Sequence, residues 1–264
     1  MTPPTTNASL TDPSPRQNEI LQIIRDQGFA TLEALAETFN VSTQTIRRDV
    51  IDLSKQGFLQ RFHGGAGLPN NMVRLGHEQK NRLSPEAKQH IGEYTACLIP
   101  NGASVFLDVG TTVEAVARSL GNHRNLRLVT NSMLSAAIIS AQSHQEIHVI
   151  GGIIYGNDGS MVSNDAPAAI RRFAFDYCVI GCSGFDKDGA PLDHDRQKVA
   201  IKNAAIRSSR HNILVADHSK FNSHPFMRIA EATDFKSFVT DLPPPAQIQD
   251  GLTRAGTKII VTNA

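Results

Sequence analysis

The chain predicts two domains of different class, a mainly α winged helix-turn-helix followed by an α/β domain built on a mostly parallel sheet. Three observations carry this expectation. Two amphipathic helical stretches lead across a tight turn into a third, Val41 to Val50, whose outward side is polar and basic. A Phe- and Gly-containing segment, Phe58 to Gly65, follows it with hairpin character. Beyond Ser84 short apolar strands alternate with helical patterns, which places helices on both faces of a parallel sheet.

Residues 1–15 are polar and Pro-rich, with neither a basic start nor an apolar stretch, and read as a disordered tail. Arg16 to Gln27 follows as a helix with Ile20, Leu21 and Ile24 on one face and Gly28 as its stop. Thr31 to Phe39 is the second helix, with Leu32, Leu35, Ala36 and Phe39 inward. The turn Asn40-Val41-Ser42 is as short as a helix-turn-helix requires.

In the third helix the apolar spine is Val41, Ile46, Val50 and Leu53, and Ser42 or Thr43 is placed to cap its start. The opposite side offers Thr43, Gln44, Arg47 and Arg48, with Gln44/Arg48 and Thr43/Arg47 each four apart. Gln and Arg suit purine edges, and Arg also holds phosphate. The candidate DNA contacts are therefore Ser42, Thr43, Gln44, Thr45, Arg47 and Arg48. In the hairpin, Phe58 and Phe62 alternate with Gln60, while Arg61 and His63 are placed to meet DNA backbone or the minor groove. Residues 1–67 carry six Lys/Arg against seven Asp/Glu. The overall basic footprint common in DNA-binding domains is missing, so this reading rests on where the arginines sit. The competing reading is a plain three-helix packing with Arg47 and Arg48 on a solvated face.

Composition narrows the rest. Lys and Arg number 26 against 25 Asp and Glu, a net charge of +1, and no apolar run approaches the roughly 20 residues of a membrane helix. Cys178 and Cys182 fall on one strand, roughly 13 Å apart at about 3.3 Å per residue, too far for a disulfide. With Cys97 they are expected to be buried thiols in a reducing compartment. The histidines form no ligand pattern, so neither metal nor cofactor is expected.

Residues 68–88 are polar with a Pro near each end and read as a connector. The expected domain limits are 16–67 for the winged helix-turn-helix and 89–264 for the α/β effector domain. Strands are expected at 103–108, 126–130, 147–150, 177–182, 212–216, 237–240 and 258–261, with helices at 112–120, 132–141, 198–208 and 246–255. In such sheets ligands bind at the carboxyl ends of the strands. There the chain places Asp108-Val109-Gly110-Thr111-Thr112, then Thr130-Asn131-Ser132, then Gly151-Gly152, and finally Asp217-His218-Ser219-Lys220. Gly110 allows close backbone approach, Thr111 and Thr112 sit at a helix N-terminus, and Lys220 supplies a cation, a combination suited to a small phosphorylated molecule. The candidate effector residues are Asp108, Gly110, Thr111, Thr112, Thr130, Asn131, Ser132, Gly151, Gly152 and Lys220. Neither G-x-G-x-x-G nor a P-loop occurs, which argues against a standard nucleotide site.

The run Leu35-Ala36, Val41-Ser42, Thr45-Ile46-Arg47-Arg48-Asp49, Arg61 and His63-Gly64-Gly65-Ala66 resembles the N-terminal signature of DeoR-type bacterial transcription regulators. Asp108-x-Gly110-Thr111-Thr112, Thr130-Asn131-Ser132, Gly151-Gly152, Gly181-x-Ser183-Gly184-Phe185-Asp186 and Ala216-Asp217-His218-Ser219-Lys220-Phe221 resemble the effector domain of the same family. That resemblance implies a fold similar to sugar-phosphate isomerases and a cytoplasmic repressor of a carbohydrate or polyol operon. It implies a homodimer or homotetramer on double-stranded operator DNA, released by a phosphorylated sugar or polyol such as glycerol 3-phosphate. Two departures from the family pattern bear on the effector. Asn164-Asp165 stands where a Gly-Glu-Ala-like step is usual, and Gln197-Lys198 where an acidic residue is usual.

The alternative is a sugar-phosphate isomerase-like enzyme with an appended DNA-binding domain, in which Asp108, Asp186, Asp217 and Lys220 would serve as acid, base and clamp. A shared fold does not confer activity, and Ser183 fails the nucleophile-elbow pattern at Phe185, so the expectation is a sensor without catalysis.

Overall fold

The computed structural model describes residues 13–27, 29–56, 58–62, 64–67, 77–142, 145–154 and 158–262. The chain forms two compact units, residues 1–75 and 76–264.

The first unit runs α1 (Pro15–Gln27), β1 (Phe29–Thr31), α2 (Leu32–Phe39), α3 (Thr43–Lys55), β2 (Gln60–Phe62) and β3 (Gly65–Gly67). Its three antiparallel strands lie in the order β1–β3–β2. The expected hairpin therefore gains a third strand from residues before α2, of which the sequence pattern assigns only Thr31, to the helix start. Thr31 ends β1 and caps α2, its hydroxyl accepting from Ala34 N at 3.1 Å. Asn40 leaves α2 in the left-handed region at φ +49°, a conformation Asn tolerates better than most residues. The core joins Ile20, Leu21 and Ile24 of α1 to Leu32 and Leu35 of α2 and Ile46, Val50 and Leu53 of α3. Phe58 departs from the alternation expected of it. The ladder begins only at Gln60, Leu59 fills the core, and Phe58 is 38% exposed.

The second unit opens with α4 (His77–Arg82) and α5 (Pro85–Cys97), so residues that read as connector by composition are helical here. It continues with β4 (Ser104–Leu107), α6 (Thr111–Ser119), β5 (Arg127–Thr130), α7 (Met133–Gln142), β6 (Glu146–Val149), β7 (Ile153–Ile154), β8 (Met161–Val162) and α8 (Ala166–Ile170). Then come β9 (Phe175–Gly181), β10 (Gly184–Phe185), β11 (Pro191–Asp193), α9 (Arg196–Arg207), β12 (Ser209–Val215), β13 (Met227–Arg228), β14 (Ser237–Thr240), α10 (Ala246–Arg254) and β15 (Lys258–Val261). All seven expected strands pair in one parallel sheet of order β15–β14–β12–β9–β4–β5–β6.

Alternation along the strands fills a core on each face. Val105, Leu107, Val179, Ile213 and Val239 pack with Ile91, Val113, Val116 and Ile139 of α5, α6 and α7. Phe106, Cys178, Ile180, Leu214 and Phe238 pack with α8, α9 and α10 on the other face. Helices α5 and α6 approach so closely that a Cβ on Gly92 would lie 2.6 Å from the Ala115 backbone, which only glycine avoids. The cysteines are free: Cys178 is buried, Cys182 lies just past β9 and is half-buried, and Cys97 is exposed, correcting the expectation that all three are buried. Among the described residues no helix is long and apolar enough to cross a membrane.

Candidate nucleic-acid interface and effector site

Helix α3 starts where the chain can cap it. Ser42 Oγ accepts from Thr45 N at 3.2 Å and lies 2.9 Å from Thr45 Oγ1, so both hydroxyls are engaged at the helix start. Gln44, Arg47, Arg48 and Arg61 are exposed, and Thr43 and Thr45 are half-buried. His63 lies outside the described residues. Asp49, which follows the two arginines, is buried and faces inward. It accepts from Arg16 Nε at 2.7 Å and from Gln17 Nε2 at 3.4 Å, pinning α1 to α3. The acid in Arg47-Arg48-Asp49 therefore braces the helix while both arginines stay free of it.

In the second unit the sheet itself marks the site. From β4 the chain winds outward to β5 and β6, then returns to place β9 on the other side of β4. That reversal opens a crevice at the carboxyl ends of β4 and β9. Asp108 sits there, 1% exposed, accepting from Gly181 N at 3.0 Å. Lys202, 3% exposed on α9, reaches it from the neighbouring layer. Its ammonium donates to Gly181 O at 2.7 Å and lies 3.0 Å from Asp108 Oδ2 and 2.7 Å from Asp193 Oδ2. All three ammonium protons thus have partners. Asp193 also accepts from Ser183 Oγ at 3.2 Å and from His194 N at 2.7 Å.

Burial alone would push the Lys202 pKa down, but Asp108 and Asp193 outweigh it and hold it up. For Asp193 burial acts upward, yet Lys202 holds the carboxyl well below the usual range. For Asp108 burial wins and the pKa is raised.

Around this triad lie more cations. Lys198 pairs with Asp158. Asp217 follows β12, wholly buried, with its Oδ1 accepting from Ser219 N at 2.9 Å and its Oδ2 lying 3.6 Å from the buried Lys88 ammonium. Lys220 ends the 3-10 turn His218–Lys220. The Lys80 amine is pushed down to about 8 by burial and by the nearby charges of Lys220 and Lys198, against which Asp193 and Asp158 act.

The remaining candidates divide. Gly110 precedes α6 at φ +135°, a Cβ there would meet nothing within 4 Å, and no side chain caps the start of the helix. Thr111 and Thr112 are buried in that turn. Asn131 is buried, with Nδ2 donating to Met161 O at 3.2 Å and Oδ1 left without a hydrogen-bond partner. Thr130 spends its hydroxyl inside the fold, on Leu107 O at 2.7 Å and Ser132 N at 2.9 Å, and Ser132 Oγ accepts from Ser135 N at 3.1 Å. Gly151 and Gly152 are exposed beyond β6, and a Cβ on Gly152 would collide with the Val162 backbone at 2.4 Å. That glycine serves chain packing. Of the two departures, Asp165 is exposed at the start of α8, whereas Lys198 is buried and joins the cations of the site.

Sequence reasoning passed over Lys80, Lys88, Asp158, Asp193 and Lys202. A usable signal was present for three lysines. Lys198 and Lys202 are four apart on the stripe that carries Ile201 and Ala205, and Lys88 shares the buried side of α5 with Ile91. A lysine at a core-facing helical position is seldom buried unless it has a partner.

A model of the DeoR-like helix-turn-helix domain matches residues 16–72, and a model of the DeoR C terminal sensor domain matches residues 83–242. The glycerol-3-phosphate regulon repressor of Escherichia coli (strain K12) is 38% identical over 90% of this chain and 94% of that protein. The HTH-type transcriptional repressor CsqR of the same strain is 34% identical over 94% of this chain and 95% of its own length. Among solved structures, ribose 5 phosphate isomerase A from Neisseria gonorrhoeae covers 52% of this chain and 53% of its own at 15% identity, with a TM-score of 0.37. Both halves of the molecule and the full-length relatives agree: the chain belongs to the DeoR family, a DNA-binding transcriptional regulator with a helix-turn-helix domain followed by a sensor domain.

Proposed function

We propose that this regulator is a cytoplasmic repressor of a carbohydrate or polyol catabolic operon, released from its operator by a phosphorylated sugar or polyol. Gln44, Arg47 and Arg48 of α3 enter the major groove, and Arg61 of the β2–β3 wing meets the backbone or minor groove. Operators of such proteins pair two half-sites, which fits a homodimer or homotetramer. The effector lies at the carboxyl ends of β4, β9 and β12. The observation that carries this reading is the gathering of five lysines there, Lys80, Lys88, Lys198, Lys202 and Lys220, among the carboxylates of Asp108, Asp158, Asp193, Asp217 and Asp241. A phosphate offers these ammonium groups a dianionic acceptor and meets backbone N–H groups at the first turn of α6. Glycerol 3-phosphate is the first candidate because a 38% identical relative is named for its regulon.

Thermal unfolding with glycerol 3-phosphate, glycerol, ribose 5-phosphate and fructose 1-phosphate tests this. A ligand at about a hundred times its dissociation constant adds roughly 2.7 kcal/mol, a rise of several degrees. Stabilisation by a phosphorylated compound and not by glycerol is expected, and no shift with any of them refutes the effector class. Lys220→Ala should keep operator binding and weaken the ligand shift. The protein acts as a sensor without catalysis on this reading; turnover of ribose 5-phosphate by the full chain would favour the isomerase-like alternative.

A further inference from the structure

The helix α4 is the first described element after the segment 68–76 that leads from the DNA-binding unit, and its C-terminal end is held by a side chain of the effector site. Lys88, 3% exposed on α5, donates from Nζ to Lys80 O at 2.9 Å in the last turn of α4 and also to Leu83 O just beyond it. The same ammonium lies 3.6 Å from Asp217 Oδ2, a fully buried carboxylate oxygen with no hydrogen-bond partner. Lys88 thus spans α4 and the anionic wall of the site. At its other end α4 is tied to α6, whose first turn faces that site, by His77 Nε2 and Glu114 Oε1 at 2.7 Å.

The joint between α4 and α5 is under strain. Ser84 sits at φ +46°, ψ +54°, the left-handed region, directly before Pro85. A non-glycine residue there is disfavoured, and a following proline biases it toward extended backbone. Its hydroxyl is buried without a partner, so no local hydrogen bond from it offsets the cost. What opposes relaxation is the Lys88 ammonium, gripping carbonyls on the far side of the joint.

We propose that Lys88 is the coupling residue of the sensor: a phosphorylated effector draws its ammonium from the carbonyls of Lys80 and Leu83, and α4 then turns about Ser84. This deepens the effector reading and rests on it. The phosphate competes with two neutral carbonyls for one cation, and a dianion is the stronger acceptor. Lys80, itself on α4, faces the same charges, so the anion that frees the C-terminal carbonyls also pulls on the helix that bears them. The ligand works only through its different affinity for the two positions of α4. Lys88 is in this sense a positioning residue for α4.

Hydrogen exchange of the full chain, with and without glycerol 3-phosphate, ribose 5-phosphate, fructose 1-phosphate or inorganic phosphate, decides the matter. The Leu83 amide bonds Lys80 O and the Lys88 amide bonds Ser84 O, so both report the joint. An effective ligand should slow exchange at Thr111 to Glu114 and speed it several-fold at 80–88. Protection at α6 with unchanged exchange at 80–88 overturns the coupling while leaving the effector site standing. No change at either place with any of the four overturns both.

Two variants sharpen the test. Lys88→Gln should exchange fast at 80–88 without ligand and respond little to it. If that variant does not fold, Ser84→Gly remains. It relieves roughly 1 kcal/mol of left-handed strain and so favours the gripped state, which raises the ligand concentration for half-maximal response about fivefold. An unchanged or lowered midpoint in Ser84→Gly contradicts the proposal.

Discussion

Replacing Lys202 by Met keeps an unbranched apolar stem one atom shorter and removes the ammonium with its charge and donors. The structure sets the size of the loss. The ammonium makes three short contacts, at 2.7 Å to Gly181 O, 2.7 Å to Asp193 and 3.0 Å to Asp108, all away from water. Charge-assisted contacts of this kind are each worth about 1.5–3 kcal/mol, but burying the ammonium costs several kcal/mol in return. What remains after the change is two buried carboxylates without their cation, a defect of about 3–5 kcal/mol. The chain has no Trp, and its three tyrosines, Tyr94, Tyr155 and Tyr177, all lie in the second unit, so tyrosine fluorescence follows that unit alone during urea unfolding. With a slope of about 2 kcal/mol per molar, the midpoint should fall by about 2 M at neutral pH.

The pH dependence provides the check. In the wild type Lys202 holds the Asp193 pKa below its unfolded value. Its stabilisation is therefore complete above the ordinary carboxylate range, near pH 4, and is lost as pH falls toward the folded value. In the variant burial raises both carboxyls, which take up protons at higher pH and shed the penalty. The gap between the two proteins should be widest at neutral pH and narrow on acidification. A midpoint shift under about 0.5 M at pH 7, or an equal shift at pH 4, refutes the account.

The other expectations are simpler. Arg48→Ala should weaken operator binding by about 1–3 kcal/mol and relax specificity at one position if it reads a base; a uniform loss across sequences in a binding titration would assign it to phosphate instead. Ser42→Ala removes the cap on Thr45 N and should cost the first unit about 1 kcal/mol, seen as faster exchange of the α3 amides at its start. Gly110→Ala meets no steric obstacle but must hold φ +135°, ψ +155°, so urea unfolding should reveal a loss of about 1–3 kcal/mol that is purely conformational.

Much of this was legible in the chain because periodicity reports large apolar residues. Ile46, Val50 and Leu53 announce α3, and the seven sheet strands are short apolar runs bounded by polar turns. Helix α5 escaped because it packs with small residues: its buried side is Ala87, Lys88, Ile91, Gly92, Thr95 and Ala96, and only Ile91 is large and apolar. Strands β7, β8, β10 and β13 are two residues each, too short for any alternation to register. Gly110 was visible as a strand-to-helix glycine, whereas Lys202 and Asp108 come together only through the crossover that sets β9 beside β4. The strand order that brings them there is a property of the whole sheet.

The arrangement of α3 has a consequence for how such a regulator diversifies. Its core-facing residues, its cap and the Asp49 brace hold the helix without help from Gln44, Arg47 or Arg48, which are exposed. Substitutions at exposed positions of this kind typically alter stability by less than about 0.5 kcal/mol. On the proposed reading, a duplicated copy of the gene can drift to a new operator through these three side chains while its fold is left intact. Ser42 and Thr45, whose hydroxyls serve the helix start, are denied that latitude.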